Sequence, residues 1–169
     1  DPSLNGGQWI NQAATNGTSI LIPWRKSSAY PSSPQVANFW LWRWDMKGKP
    51  IGIPWLVASL SSPDPNTPLI GGLFALADGA GYKLVIDAGT ARLAHLDEHS
   101  FACRCIDNAT DLPGVSDVSD FAAAGTDRSV VAYTRSVTET GMNPITPATR
   151  AFIRIVQPGP PPRHRAAGH

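Results

Sequence analysis

The run His95-Leu96-Asp97-Glu98-His99-Ser100 holds the densest set of chemically able side chains in the sequence. Read as an extended strand, it turns His95, Asp97 and His99 to one side, and a His-x-Asp pair on a β-sandwich is how jelly-roll iron oxygenases supply two of three ligands. The third ligand should be a distant histidine on a packed strand. The later histidines, His164 and His169, both fall in a Pro-rich tail, so a polar loop between strands competes with the metal reading. His99 and Ser100, with Asp117 or Asp120, also have the residue types of a base, a nucleophile and an acid. Neighbours in a regular strand point to opposite faces, however, and no Gly-x-Ser-x-Gly elbow, phosphate-binding glycine loop or paired Cys-x-x-Cys is present. No cofactor is expected.

A second candidate is the run Phe39-Trp40-Leu41-Trp42-Arg43-Trp44. Strand periodicity places Trp40, Trp42 and Trp44 on one face, a row of indoles able to stack on sugar rings in a lectin-like module. The competing reading is a strand buried on both faces or at a subunit contact, where tryptophan is enriched. All six tryptophans lie within the first third of the chain.

The elements that must position these residues read as strands. Short apolar segments rich in Ile, Val, Leu, Trp and Phe are separated by turn-forming clusters. The candidates are Ser19 to Trp24, Asn38 to Trp44, Ile51 to Leu60, Leu69 to Ala77, Tyr82 to Asp87, Ala91 to Leu96, Phe101 to Ile106, Ser129 to Val137 and Arg150 to Val156. Hairpin or loop connections are expected at Asp45 to Pro50 and Asp78 to Gly81. The spacing of Val115, Val118, Phe121 and Ala122 predicts one short helix. The expected class is all-β, a jelly-roll-like antiparallel sandwich, with a core or interface of Trp9, Ile20, Ile22, Trp24, Trp40, Trp42, Trp44, Trp55, Phe74, Val85, Phe101, Val131, Phe152 and Ile155. The segment Ser59 to Pro68, with three prolines, reads as a crossing or linker, and the end from Pro158 as a loose tail.

Composition narrows the function classes. A chain of 169 residues suits one domain or a domain with a small appendage. Its 15 glycines and 16 prolines exceed the usual combined share of roughly 12%, and its 16% charged residues fall short of the usual 25% or so. A net charge of +1, with no basic run longer than Arg25-Lys26, argues against sequence-specific nucleic-acid binding through a basic face. No apolar stretch reaches the roughly 18 residues of a membrane-spanning helix. A start at Asp1 without a leader reads as a processed product or an excised fragment. Cys103 and Cys105, one residue apart, are expected as free thiols, as in a reducing cytosol, because in a strand their Cα atoms would stand near the outer limit for a bridge. Sequons at Asn16 and Asn108 are expected to be unused.

The segments Gln8-Trp9-Ile10-Asn11, Asn16-Gly17-Thr18-Ser19-Ile20-Leu21-Ile22-Pro23-Trp24 and Ser27-Ser28 resemble the picornavirus-like capsid proteins. In that family a His/Gln-x-Ile-Asn/Asp segment leads through a polar turn into a strand ending in Ile/Val-Pro-aromatic. Asn38 to Trp44, the loop at Lys47 to Pro50 and Ile53-Pro54-Trp55-Leu56-Val57-Ala58 continue the likeness, which covers roughly residues 7 to 66. It implies jelly-roll strands over 1–66, a continued sandwich or projecting β module over 67–157, and a flexible tail over 158–169. Some insect members carry a projecting domain with an Asp-His-Ser cluster, which His99, Ser100 and Asp117 match in residue type. The resemblance further implies a structural virion protein that assembles in the host cytoplasm with its own copies and sister subunits and meets a host receptor or glycan.

Overall fold

The computed structural model describes residues 8–28, 34–64, 69, 71–115, 117–124, 128–138 and 147–156. Within them, twelve strands and one short helix build three antiparallel sheets. The all-β, sandwich-like architecture expected from the alternating apolar runs is the one observed.

The first sheet contains β1 (Gln8–Ile10), β2 (Ala14–Thr15), β3 (Ser19–Ser27), β4 (Gln35–Asp45) and β5 (Pro50–Ser62), ordered β1-β3-β4-β5 with β2 also paired to β3. The second runs β6 (Gly72–Asp78), β7 (Gly81–Ala88), β8 (Thr90–Leu96), β9 (Thr110–Asp111). The third runs β10 (Val118–Ala124), β11 (Arg128–Thr138), β12 (Pro147–Val156). Between β8 and β9 lies α1 (Glu98–Cys103). Order within each sheet follows order along the chain, as short turns between strands favour. At the β4–β5 turn, Asp45 Oδ1 accepts from the amides of Lys47 and Lys49, and Gly48 takes the positive φ that the turn requires.

The second sheet is the middle layer. Strand β7 is buried from Gly81 to Asp87. Its side chains alternate between two cores, as strand geometry dictates. Tyr82, Leu84 and Ile86 join Leu21, Phe39 and Leu41 of the first sheet. Val85, on the opposite face, joins Leu112, Val115, Phe121 and Val131. A strand buried on both faces reads as a continuous apolar run, which is what Tyr82 to Ile86 gives apart from Lys83. Burying each large apolar side chain stabilises the fold by about 1.5–3 kcal/mol.

Several expectations are corrected. The helix expected around Val115 to Ala122 is instead β10 and the turn before it. The register of β10 on β11 shifts between Val118 and Asp120, and Asp117 takes a positive φ of 53°. These irregularities bring Val115, Val118 and Phe121 into one core at intervals of three, so a bulge mimics helical spacing. Conversely, Phe101, expected to open a strand, lies in α1. Asp97 caps that helix through a reciprocal pair with Ser100, a D-x-x-S form of the capping box.

The thiols are not free. Cys103 closes α1, Arg104 adopts the left-handed conformation at φ 54°, and Cys105 follows. That reversal brings the two Cα atoms to 5.3 Å, where an extended strand would have held them farther apart, and the sulfurs form a disulfide. Of the expected core, Val85 and Val131 are fully buried, and Trp24, Trp40, Trp42, Trp44, Trp55, Phe74, Phe101 and Phe152 are half-buried. Ile155, at 64% exposed, is not part of it, because it faces outward from the third sheet. The side chain of Trp9 and the tail from Pro158, with His164 and His169, lie outside the described residues.

Candidate functional site

Three regions gather the residues with chemical potential. The first is the junction of α1 with the first sheet. Arg43 projects from β4 and donates from Nη1 to Glu98 Oε2 at 2.8 Å, with a second bond from Nη2 to Oε1. Its Nε donates to Ser19 Oγ at 3.0 Å, and its guanidinium carbon stands 4.7 Å from the Phe101 ring centroid. Ser19 Oγ is in turn 2.9 Å from the hydroxyl of Tyr82, which also donates to the Ser19 carbonyl. The bond to Glu98 raises the Arg43 pKa, and the bond from Arg43 lowers that of Glu98. Beside this network lies a cleft of about 150 Å³ lined by Leu21, Leu41, Arg43, Ile53, Phe101 and Arg104. It exists because β5 breaks register with β4 between Leu41 and Arg43, so the chain around Gly52 arches away from its partner.

The second region holds the histidines. His95 Nδ1 lies 3.0 Å from Asp78 Oδ2, across the β6–β7–β8 end of the middle sheet. Asp97 Oδ1 accepts from the backbone amide of Ser100 at 2.9 Å and from its hydroxyl at 3.0 Å. Those two bonds hold its carboxyl below the usual range. His99 rides the exposed side of α1, with Nε2 3.9 Å from Asp107 Oδ2. The start of α1 at Glu98 breaks the alternation that would have set His95, Asp97 and His99 side by side, and each turns to a different partner. Ser100 is likewise engaged with Asp97 and not with His99. Asp117 sits at the third sheet, where its backbone bonds to the buried Asp87. Among the described residues no hydrogen bond joins His99 to Ser100 or Asp117. Asp120, exposed on β10, bonds through Oδ1 to the amide of Phe121. Sequence reasoning missed the group that does converge: His99, Cys103, Cys105 and Asp107 offer ligand atoms all within 4.8 Å of one another. The i, i+4 spacing of His99 and Cys103 was the available signal, visible only once a helix is assigned there.

The third region is the outer face of the first sheet. Register pairs Ile20 with Trp44, Ile22 with Trp42 and Trp24 with Trp40 across β3 and β4. Ile10 stands opposite Trp24, and Leu56 opposite Trp40. Trp24 and Trp40 approach to 6.0 Å between ring centroids in a tilted pair, and Trp42 and Trp44 to 4.9 Å edge to face. The indole N–H groups of all four are buried without an acceptor among the described residues. Ile10 and Leu56 are exposed at the margin of this face. On the far side of the stack, the outer face of the third sheet exposes Ile153 and Ile155.

The side-chain amide of Asn16 is also engaged: Nδ2 donates to the Ala80 carbonyl at 2.6 Å, and Oδ1 accepts from the amides of Thr18 and Ser19. Compared with protein-family models, curated proteins and solved structures, the chain shows no match. Among the described residues no helix is long and apolar enough to cross a membrane.

Proposed function

We propose that the chain is a structural subunit of a picornavirus-like capsid, contributing to a shell or a surface projection by packing against its own copies and sister subunits. The observation that carries this reading is the pair of apolar outer faces on opposite sides of the layer stack. One is the tryptophan face of β3 and β4, flanked by Ile10 and Leu56; the other is the Ile153–Ile155 face of β12. Two unlike apolar faces on opposite sides suit contacts between different neighbours, the arrangement that builds a closed shell, more than a single two-fold dimer. A charged fraction of 16% leaves little to keep such faces apart in water. A sugar-binding use of Trp40, Trp42 and Trp44 is less well supported, because the rings pack on one another in tilted and edge pairs and spend ring surface that a sugar would stack on.

Electron microscopy and light scattering of the purified chain, alone and with sister subunits, test this. Symmetric particles or rings that are lost in Trp42→Glu and in Ile153→Glu, with unchanged near-ultraviolet circular dichroism for Ile153→Glu, are expected. A monomer at every salt and pH, with or without sister subunits, overturns the reading.

A further inference from the structure

We propose that His99, Cys103, Cys105 and Asp107 form a thiol-gated site for a zinc-class divalent cation, closed while the Cys103–Cys105 disulfide is intact and opened when a thiol reductant cleaves it. Two thiolates, an imidazole and a carboxylate are the donor types that zinc takes in tetrahedral sites. Zinc bonds of about 2.3 Å to sulfur and 2.0–2.2 Å to nitrogen or oxygen set tetrahedral ligand atoms about 3.3–3.8 Å apart. The four donors lie within 4.8 Å of one another, with His99 Nε2 3.9 Å and Cys105 Sγ 3.1 Å from Asp107 Oδ2. The sulfur pair is the one separation far too short for the shell, and reduction is what lengthens it.

The backbone keeps the donors convergent without the disulfide. His99 and Cys103 are four residues apart on one face of α1. The amides of Arg104 and Cys105 both donate to the Ser100 carbonyl, the latter at 3.2 Å, which fixes the reversal after the helix. On the opposite face, Glu98 and Phe101 tie α1 to Arg43. As a staple the disulfide has little to do: it spans one intervening residue, so it removes little freedom from the unfolded chain. His99, Cys103 and Asp107 are exposed and Cys105 is half-buried, open to reductant and metal alike.

The chemistry balances. Two equivalents of a small thiol reduce the protein disulfide to two cysteine thiols and leave as one disulfide of the reductant. Binding of M²⁺ then displaces the two thiol protons to solvent, so affinity rises with pH.

The full-length chain, oxidised or reduced anaerobically and freed of reductant, is titrated with Co²⁺ as a spectroscopic probe and then with Zn²⁺. The reduced form is expected to bind one Co²⁺ with tetrahedral ligand-field bands and a thiolate-to-metal charge-transfer band, and the oxidised form to show neither. His99→Ala and Asp107→Asn should each raise the Co²⁺ Kd by about tenfold or more, and Cys105→Ser, which leaves one thiolate of two, should remove about half or more of the charge-transfer intensity. Zn²⁺ should slow alkylation of the two thiols by the same order. Equal binding by the oxidised form, no change in Kd in His99→Ala and Asp107→Asn, or unprotected thiols at saturating Zn²⁺ each overturns the proposal. His99 and Asp107 are exposed and Cys105 is half-buried, and unchanged far-ultraviolet circular dichroism separates ligand loss from misfolding.

Discussion

Arg43 and Glu98, 55 residues apart in the chain, lock the helix between β8 and β9 of the middle sheet onto the first sheet. The arginine is the better buried partner: its side chain is 14% exposed against 75% for the glutamate. It also donates to Ser19 and stands over the Phe101 ring.

That asymmetry predicts unequal mutational costs. Arg43→Met, which keeps the aliphatic stem but loses a charged hydrogen bond to Ser19 and the contact with Phe101, should lower stability by about 2 kcal/mol. Glu98→Gln breaks only an exposed pair and should cost about 0.5 kcal/mol. Urea unfolding followed by tryptophan fluorescence measures both, and equal losses would remove Arg43 from its anchoring role.

Falling and rising pH should act on different layers. The carboxyls of Asp97, through its bonds from Ser100, and Glu98, through its bond from Arg43, sit below their ordinary range. The stability they contribute is present above the unfolded-state pKa values and is lost as pH falls through the depressed ones. Asp87 is the opposite case: burial beneath the third sheet raises its pKa, although it accepts from Val118 N at 2.9 Å. Its contribution is fully present below the ordinary aspartate value and is lost as pH rises through the raised one. Asp87→Asn, which keeps an acceptor for Val118, should flatten the upper slope in pH-dependent thermal melts and leave the acid limb unchanged.

Gly81 admits no side chain. A Cβ there would meet the backbone carbonyl oxygen of Leu96 on the neighbouring strand β8, which cannot swing aside as a flexible side chain can. Gly81→Ala should therefore destabilise by about 1–3 kcal/mol, with loss of amide-exchange protection across β7 and β8. Gly79→Ala, in the adjoining turn with open space around it but φ 59°, should cost about 1 kcal/mol.

Strands were legible where side chains alternate against a core. Ser19 to Trp24, Asn38 to Trp44 and Tyr82 to Asp87 all fall inside observed strands, and the turns at Asp45 and Asp78 join β4 to β5 and β6 to β7. The sequence was silent or misleading where a local irregularity replaced the repeat. Near Val118 a bulge imitated helical spacing. At Asp97 a helix too short for periodicity is defined by its cap alone, and the left-handed Arg104 turned a strand-like Cys-x-Cys into a closed pair. The converging group around His99 was hidden for the same reason, since its geometry belongs to the end of α1 and not to any repeat. The tryptophan row was visible in the sequence, but not the stacking of three sheets that leaves its face on the outside.

Strand β7 gives Tyr82, Leu84 and Ile86 to one core and Val85 to the other. Stripping off either outer sheet would hydrate one wall of the middle layer and loosen the wall behind it. The chain-order meanders, which would each melt separately if they stood alone, are thereby joined into one thermodynamic unit, with a single heat-absorption peak expected in place of a staircase.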